Sequence, residues 1–179
     1  SNPHFEATRL EKGVLKHASS GEPVVLKHTR QAPAGTADTA LGALLMRKDV
    51  PGVHKFVVTI AASTTQTGTG IRIGIASDDG QQTFAVRPWD GTLYPPVADG
   101  DPRYSFLGHK AVGREVEVIV DYREGSNRRL SFKIDGEGEV DSRLTAEEFP
   151  DSCRPWVQCV YGDDTFVLSS YRFTPSSPK

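Results

Sequence analysis

Helical periodicity is almost missing from this chain, and so are most of the residue clusters that carry chemistry. The two cysteines, Cys153 and Cys159, form no CxxC pattern and have no second pair, which excludes a cysteine-rich zinc site. They fit a reducing intracellular compartment, the cytoplasm or the nucleus, with a single bridge between them as the alternative. Five histidines, His4, His17, His28, His54 and His109, are scattered and make no HxxxH or HxH cluster with a carboxylate, which argues against a metal centre or a catalytic dyad. A GxSxG nucleophile elbow is absent. The glycine-rich "TGTGIRIG" runs into alternating isoleucines with no helix after it, so it is not a phosphate loop.

No apolar run approaches the roughly 18 residues of a membrane span, and the N-terminus lacks a signal peptide's hydrophobic segment. Lys plus Arg number 21 against 23 for Asp plus Glu, and no basic block is long enough to act as a phosphate-binding arm. Membrane and nucleic acid are thus not expected partners. A chain of 179 residues suits one domain whose core needs neither metal nor disulfide, so no cofactor is expected. The opening Ser1-Asn2 reads as a scar of tag removal, and the chain is expected to be a monomeric domain of a larger protein.

What the sequence does contain is strict alternation. Phe56, Val58 and Ile60 in "HKFVVTIAAS" share one face of an extended strand, as do Ile71, Ile73 and Ile75 in "GIRIGIAS". In "REVEVIVDY", Val116, Val118 and Val120 face one way and Glu115, Glu117 and Asp121 the other; Leu130, Phe132 and Ile134 repeat the pattern. Turn signals separate these runs: Asp79-Gly80, Asp90-Gly91, Gly125-Ser126 and Asp135-Gly136. "RPWVQCVYG" and "TFVLSSYRF" are apolar on both faces in places, as central strands of packed sheets are. The two copies of "VLKH", Val14–His17 and Val25–His28, are expected to form a hairpin. Thr145 is placed to cap one helical turn with Glu148 three residues on. The fold class is all-β, an antiparallel β-sandwich.

The order of the runs "GVHKFVVTI", "IRIGIASDDG", "FAVRPWDGTLY", "VGREVEVIVDY", "RRLSFKIDGEG" and "FPDSCRPWVQCVYGDDTFVL" resembles a SPRY (B30.2-type) domain. The resemblance covers about residues 22–174; residues 1–21 are expected as an N-terminal extension packing as a hairpin strand, and 175–179 as a disordered tail. Two departures are mild: Phe56 stands where the family has Trp, and Asp135 where its hairpin has Asn. The resemblance implies a bent, concanavalin-like sandwich that is not an enzyme and binds a partner protein or linear peptide through loops at one rim. Carried over, those loops are Ser77–Gln82, Thr83–Trp89 and Val160–Asp164. Members gripping an Asn-rich peptide carry Val-Trp-Gly after the final strand, where this chain has Val160-Tyr161-Gly162, and they have a longer, Tyr-containing loop where it has "SDDGQQ".

The expected contact residues are Asp78, Asp79, Arg87, Trp89, Val160, Tyr161, Gly162 and Asp163, gathered on one rim. Each has a structural counter-reading. Trp89 can cover the sandwich edge, and Tyr94 is expected to pack. Asp78-Asp79 and Asp163-Asp164 read as solvated turns, since neither pair has the spacing of a calcium loop. A buried, inert thiol is the reading of Cys159. The rival function is glycan binding, because lectins and some glycoside hydrolases use a similar sandwich. Glu115 and Glu117 would be the only carboxylate pair for hydrolysis, and "EVEVIVD" lacks the E-x-D-x-x-E run of the sandwich hydrolases.

Overall fold

The computed structural model describes residues 5–7, 24–28, 38–42, 44–63, 70–95, 110–159 and 164–176. They form thirteen strands: β1 (Phe5–Ala7), β2 (Val24–His28), β3 (Asp38–Leu41), β4 (Met46–Arg47), β5 (Gly52–Ala62), β6 (Arg72–Ser77), β7 (Thr83–Arg87), β8 (Thr92–Tyr94), β9 (Glu115–Asp121), β10 (Leu130–Ile134), β11 (Val140–Asp141), β12 (Ser152–Cys159) and β13 (Thr165–Pro175). A seven-stranded sheet runs β1-β2-β13-β5-β9-β10-β11, and a six-stranded sheet runs β3-β12-β6-β7-β8 with β4 also on β12. Every pairing is antiparallel.

The alternation in the sequence sets which face each strand turns inward. Phe56, Val58 and Ile60 from β5, Val116, Val118 and Val120 from β9, and Leu130, Phe132 and Ile134 from β10 are all buried on the inner face of the larger sheet. Ile73 and Ile75 oppose Val86 and Phe84 on the smaller one, and all of them join one core cluster. Phe56, at 1% exposure, supplies the bulk that the family places there with Trp. The last two apolar segments become interior strands of different sheets, β12 between β3 and β6 and β13 between β2 and β5. Cys153 and Cys159 point inward from β12 as buried thiols outside any disulfide. Burial pushes the Cys153 thiol up to about 12, against a hydrogen bond from the Tyr122 hydroxyl.

The smaller sheet also carries a second, minor cluster on its outer face. Trp156 opposes Gly74 across β12 and β6, Gly74 opposes Ala85, and the indole packs against Ala76 and Ala85. Gly74 admits no side chain, because a Cβ there would collide with the Phe84 carbonyl oxygen and lie 2.6 Å from the Ala85 Cα. Glycine in this strand therefore marks a close approach of two backbones.

One expectation is corrected, that of Asp163-Asp164 as a solvated turn. The expected hairpin of Val14–His17 with Val25–His28 involves residues 14–17, which lie outside the described residues; the described neighbours of β2 are β1 (Phe5↔His28) and β13 (Thr165↔Lys27). Asp121 is on the outer face as its parity requires, but it is buried, because Arg123 folds back onto its carboxylate (2.7 Å) and Ser126 donates to it (2.9 Å). Asp164 is fully buried and accepts a hydrogen bond from the Ser63 hydroxyl, so the Asp163-Asp164 pair is not simply a solvated turn. Around Thr145 the chain makes one turn: Glu148 N–H donates to Thr145 Oγ1 (3.2 Å) and the Glu148 carboxylate accepts from the Thr145 N–H (3.3 Å).

Candidate functional site

The smaller sheet decides which predicted contact residues meet. In this antiparallel arrangement β6 runs into the Asp78–Gln82 turn, β7 returns, and the Pro88–Gly91 turn leads into β8 at the other end. Five residues of β7 separate the two turns, about 14 Å of strand at ~3.4 Å per residue. The single rim expected from the sequence is thus two opposite rims. Asp78 and Asp79 are on one. Arg87 and Trp89 are on the other, where β12 also ends, since Gln158 opposes Arg72. Val160, Tyr161, Gly162 and Asp163 follow β12 in the chain and lie outside the described residues.

The Asp78–Asp79 rim is held by its own polar groups. Asp79 accepts from the Ser77 hydroxyl (2.6 Å) and the Gln81 N–H (3.0 Å), and Gly80 takes a positive φ of 75°. Those two donors, the hydroxyl first, hold the Asp79 carboxyl below its usual range. Asp78 takes a hydrogen bond from Arg154 Nε at 2.7 Å across the strand pair. The turn is satisfied and offers no aromatic surface.

The Arg87–Trp89 rim has a different construction. Arg87 reaches Asp90 with two nitrogens, Nε to Oδ1 at 3.0 Å and Nη2 to Oδ2 at 2.5 Å, and Asp90 also accepts the Thr92 N–H at 3.0 Å. Burial opposes ionisation of Asp90, but the Arg87 fork and the Thr92 donors outweigh it and bring the carboxyl down to about 2. Gly91, with φ of 79°, lets the turn close through its N–H on the Arg87 carbonyl (2.7 Å). The fixed Arg87 guanidinium lies 5.1 Å from the centroid of the Trp89 ring and 6.0 Å from that of Tyr94. The Arg72 guanidinium sits closer to Tyr94, 3.6 Å from its ring centroid. Arg72, Tyr94, Arg87 and Trp89 therefore form a row of alternating cations and rings, each side chain half-buried.

Arg72 and the stacking of Tyr94 were not foreseen. Alternation alone put Arg72 on the outer face, which is the only signal the sequence held. Its contact with Tyr94 spans from β6 to β8 across β7, and the intervening positions, Gly74 and Ala85, are too small to obstruct it. Trp89 is half-buried beside the Arg87 guanidinium, just past the end of β7. Chemically the rim can cover an apolar or planar group and donate hydrogen bonds; among its described residues there is no nucleophile with an adjacent base. Among the described residues, no group of three or more His, Cys, Asp and Glu is placed to hold a metal ion.

Two packed antiparallel sheets of this topology define a concanavalin-like β-sandwich, and lectin II from Ulex europaeus superposes at a TM-score of 0.52 with 12% identity, over 99% of this chain and 100% of the lectin. Within that class the chain has the SPRY-type fold. The SPRY domain of human HERC1 aligns over 100% of this chain and 99% of its own length, with a TM-score of 0.62 and 13% identity. A second human SPRY domain aligns over 81% of this chain and 90% of its own, at 0.56 and 16%. No family model and no curated protein matches the sequence.

Proposed function

We propose that this chain is a non-catalytic interaction module that binds an extended segment of a partner protein at the rim bearing Arg87, Trp89 and Tyr94. The observation carrying the reading is the row Arg72–Tyr94–Arg87–Trp89, in which half-open aromatic rings are locked in place by cations before any ligand arrives. Preformed aromatic and arginine anchors surrounded by polar groups are the composition of an interface hot spot. Fixing them in advance lowers the ordering cost of association. The SPRY-type fold fits a binding module, and the two buried thiols, in no disulfide, suit a reducing intracellular compartment.

The test is a peptide array and an affinity capture from lysate, run beside a glycan array. Peptide or protein capture is expected, with Trp89→Ala weakening it by about 2 kcal/mol, roughly thirtyfold, and also lowering the melting temperature. Asp79→Ala, at the opposite end of β7, should leave affinity unchanged. Binding to glycans alone, or a captured partner indifferent to both Trp89→Ala and Tyr94→Ala, would overturn the reading.

A further inference from the structure

Among the described residues, two guanidinium groups meet at the Tyr94 ring and one carboxylate serves them. That carboxylate, Asp90, is taken by Arg87 through Nε and Nη2, and the same Nη2 lies 3.4 Å from the Thr92 hydroxyl. Arg72 makes no hydrogen bond or ion pair with a described residue; its contact is the Tyr94 ring.

The strand register explains the imbalance. Gln158 on β12 opposes Arg72 from one side, and Arg87 on β7 opposes it from the other, one step beyond the Ile73↔Val86 pair. Trp156 and Ala85 are the next residues on that face of the two neighbouring strands. None of the four is an anion, and Gln158 turns its amide nitrogen to the Gly70 carbonyl (3.2 Å). Like charges directly opposite on neighbouring strands destabilise a sheet, and Asp90 offsets one of the two.

Arg72 is nonetheless fixed. At 3.6 Å from the ring centroid its planar group is too close for an edge-on approach, so it lies face-on against Tyr94. A guanidinium held in this way keeps its N–H donors around its edge, in a fork that matches the two oxygens of a carboxylate. Both residues are half-buried, so the stack is fixed without being sealed from solvent.

Given the reading of this rim as a site for an extended protein segment, on which the inference rests, we propose that the segment is acidic at one position, where an aspartate or glutamate side chain lays both carboxylate oxygens against Arg72. The carboxylate supplies the anion that the strand neighbours lack. Two charge-assisted hydrogen bonds to a group oriented in advance select it over an amide. Through Tyr94 and Arg87, the Arg72 guanidinium lies within about 15 Å of the Trp89 ring, the length of about four extended residues. The acidic residue therefore stands within that many positions of the one seated at Trp89.

The experiment is a positional-scanning library of decapeptides, acetylated and amidated at their ends, bound to the full chain with each position fixed in turn as Asp, Glu, Asn or Gln. Asp or Glu is expected to be preferred over the matching amide by about tenfold or more at one position. Arg72→Gln should abolish that preference while binding remains sensitive to Trp89→Ala. Arg72→Lys, which keeps the charge and loses the fork, should retain only part of the preference. Trp89-dependent binding with no acidic preference, or with a preference undiminished in both Arg72 variants, would overturn the acidic partner and leave the rim as a binding site. No Trp89-dependent binding of any peptide would overturn both.

Discussion

The two Asp-Gly turns at the ends of β7 look alike in the sequence, "SDDGQQ" and "PWDGTL", and do opposite things in the fold. Each has a glycine at positive φ and an aspartate accepting a backbone N–H two residues on. The difference is in the flanking strand residues. Ser77 gives Asp79 a short hydroxyl donor, so that turn closes on itself and stays exposed. Arg87 gives Asp90 a long, planar donor, and the same guanidinium then reaches the rings of Trp89 and Tyr94. A shared turn signal therefore says where the chain reverses, and its neighbours decide whether the reversal is inert or presents a surface.

The strongest way to break this contrast is to remove the strand spacing both turns depend on. Gly74→Ala places a methyl against the β7 backbone, and we expect a loss of about 3 kcal/mol or more, seen as a large drop in chemical denaturation midpoint. A melt within a degree or two of the parent would refute the close approach.

Next in size is an acid effect that must be separated from the Asp90 turn before the latter can be read. His54 is buried among Tyr171, Phe173 and Tyr122, with Nδ1 2.7 Å from the Tyr171 hydroxyl, and burial lowers its pKa to about 4. Its folded pKa lies below the unfolded value of 6.5, so the folded state resists the proton. The contribution is whole above pH 6.5 and is lost as pH falls from there to about 4. The loss should be on the order of 2 kcal/mol after allowance for solvent screening, and His54→Gln should flatten that part of a stability-against-pH curve. An unchanged slope would mean that His54 is not the titrating group.

With that limb removed, the turns themselves can be compared. Asp90→Ala strips a half-buried arginine of its fork and should cost about 1–2 kcal/mol, together with a loss of order at Trp89 visible in its fluorescence. Asp79→Ala should cost less and leave the fluorescence alone. Because the Asp90 carboxyl is depressed to about 2, its contribution is present above pH 3.8 and disappears as pH falls from there to about 2. Equal effects from the two alanines would erase the distinction. Smallest is Arg154→Met, which cuts the exposed pair with Asp78 and should change stability by less than about 1 kcal/mol.

The sandwich was legible because period-two alternation is local: which of two faces a residue takes follows from its parity along one strand. Parity also places Arg72, between the inward Ile71 and Ile73, on the outside. One error came from reading local polarity as exposure. Asp164 is buried because Ser63, just past β5 and distant in the chain, satisfies it; Asp121, on the outer face as its parity requires, is buried in the same way by Arg123 and Ser126 of the following loop. The error about the rim was topological: a turn at each end of one short strand cannot lie on one edge, and that follows only once β6, β7 and β8 are known to be successive neighbours.

The sequence by itself therefore determined the long alternating strands, their inward faces and the turns between them, since each depends on residues within a few positions of one another; β3, β4 and β11 carried no such pattern. Only the tertiary structure decided which turns share a rim and that Arg72 meets Tyr94 across β7. Those contacts join residues distant in the chain, and strand order and register, which bring them together, are set by the packing of the whole sandwich rather than by any one segment.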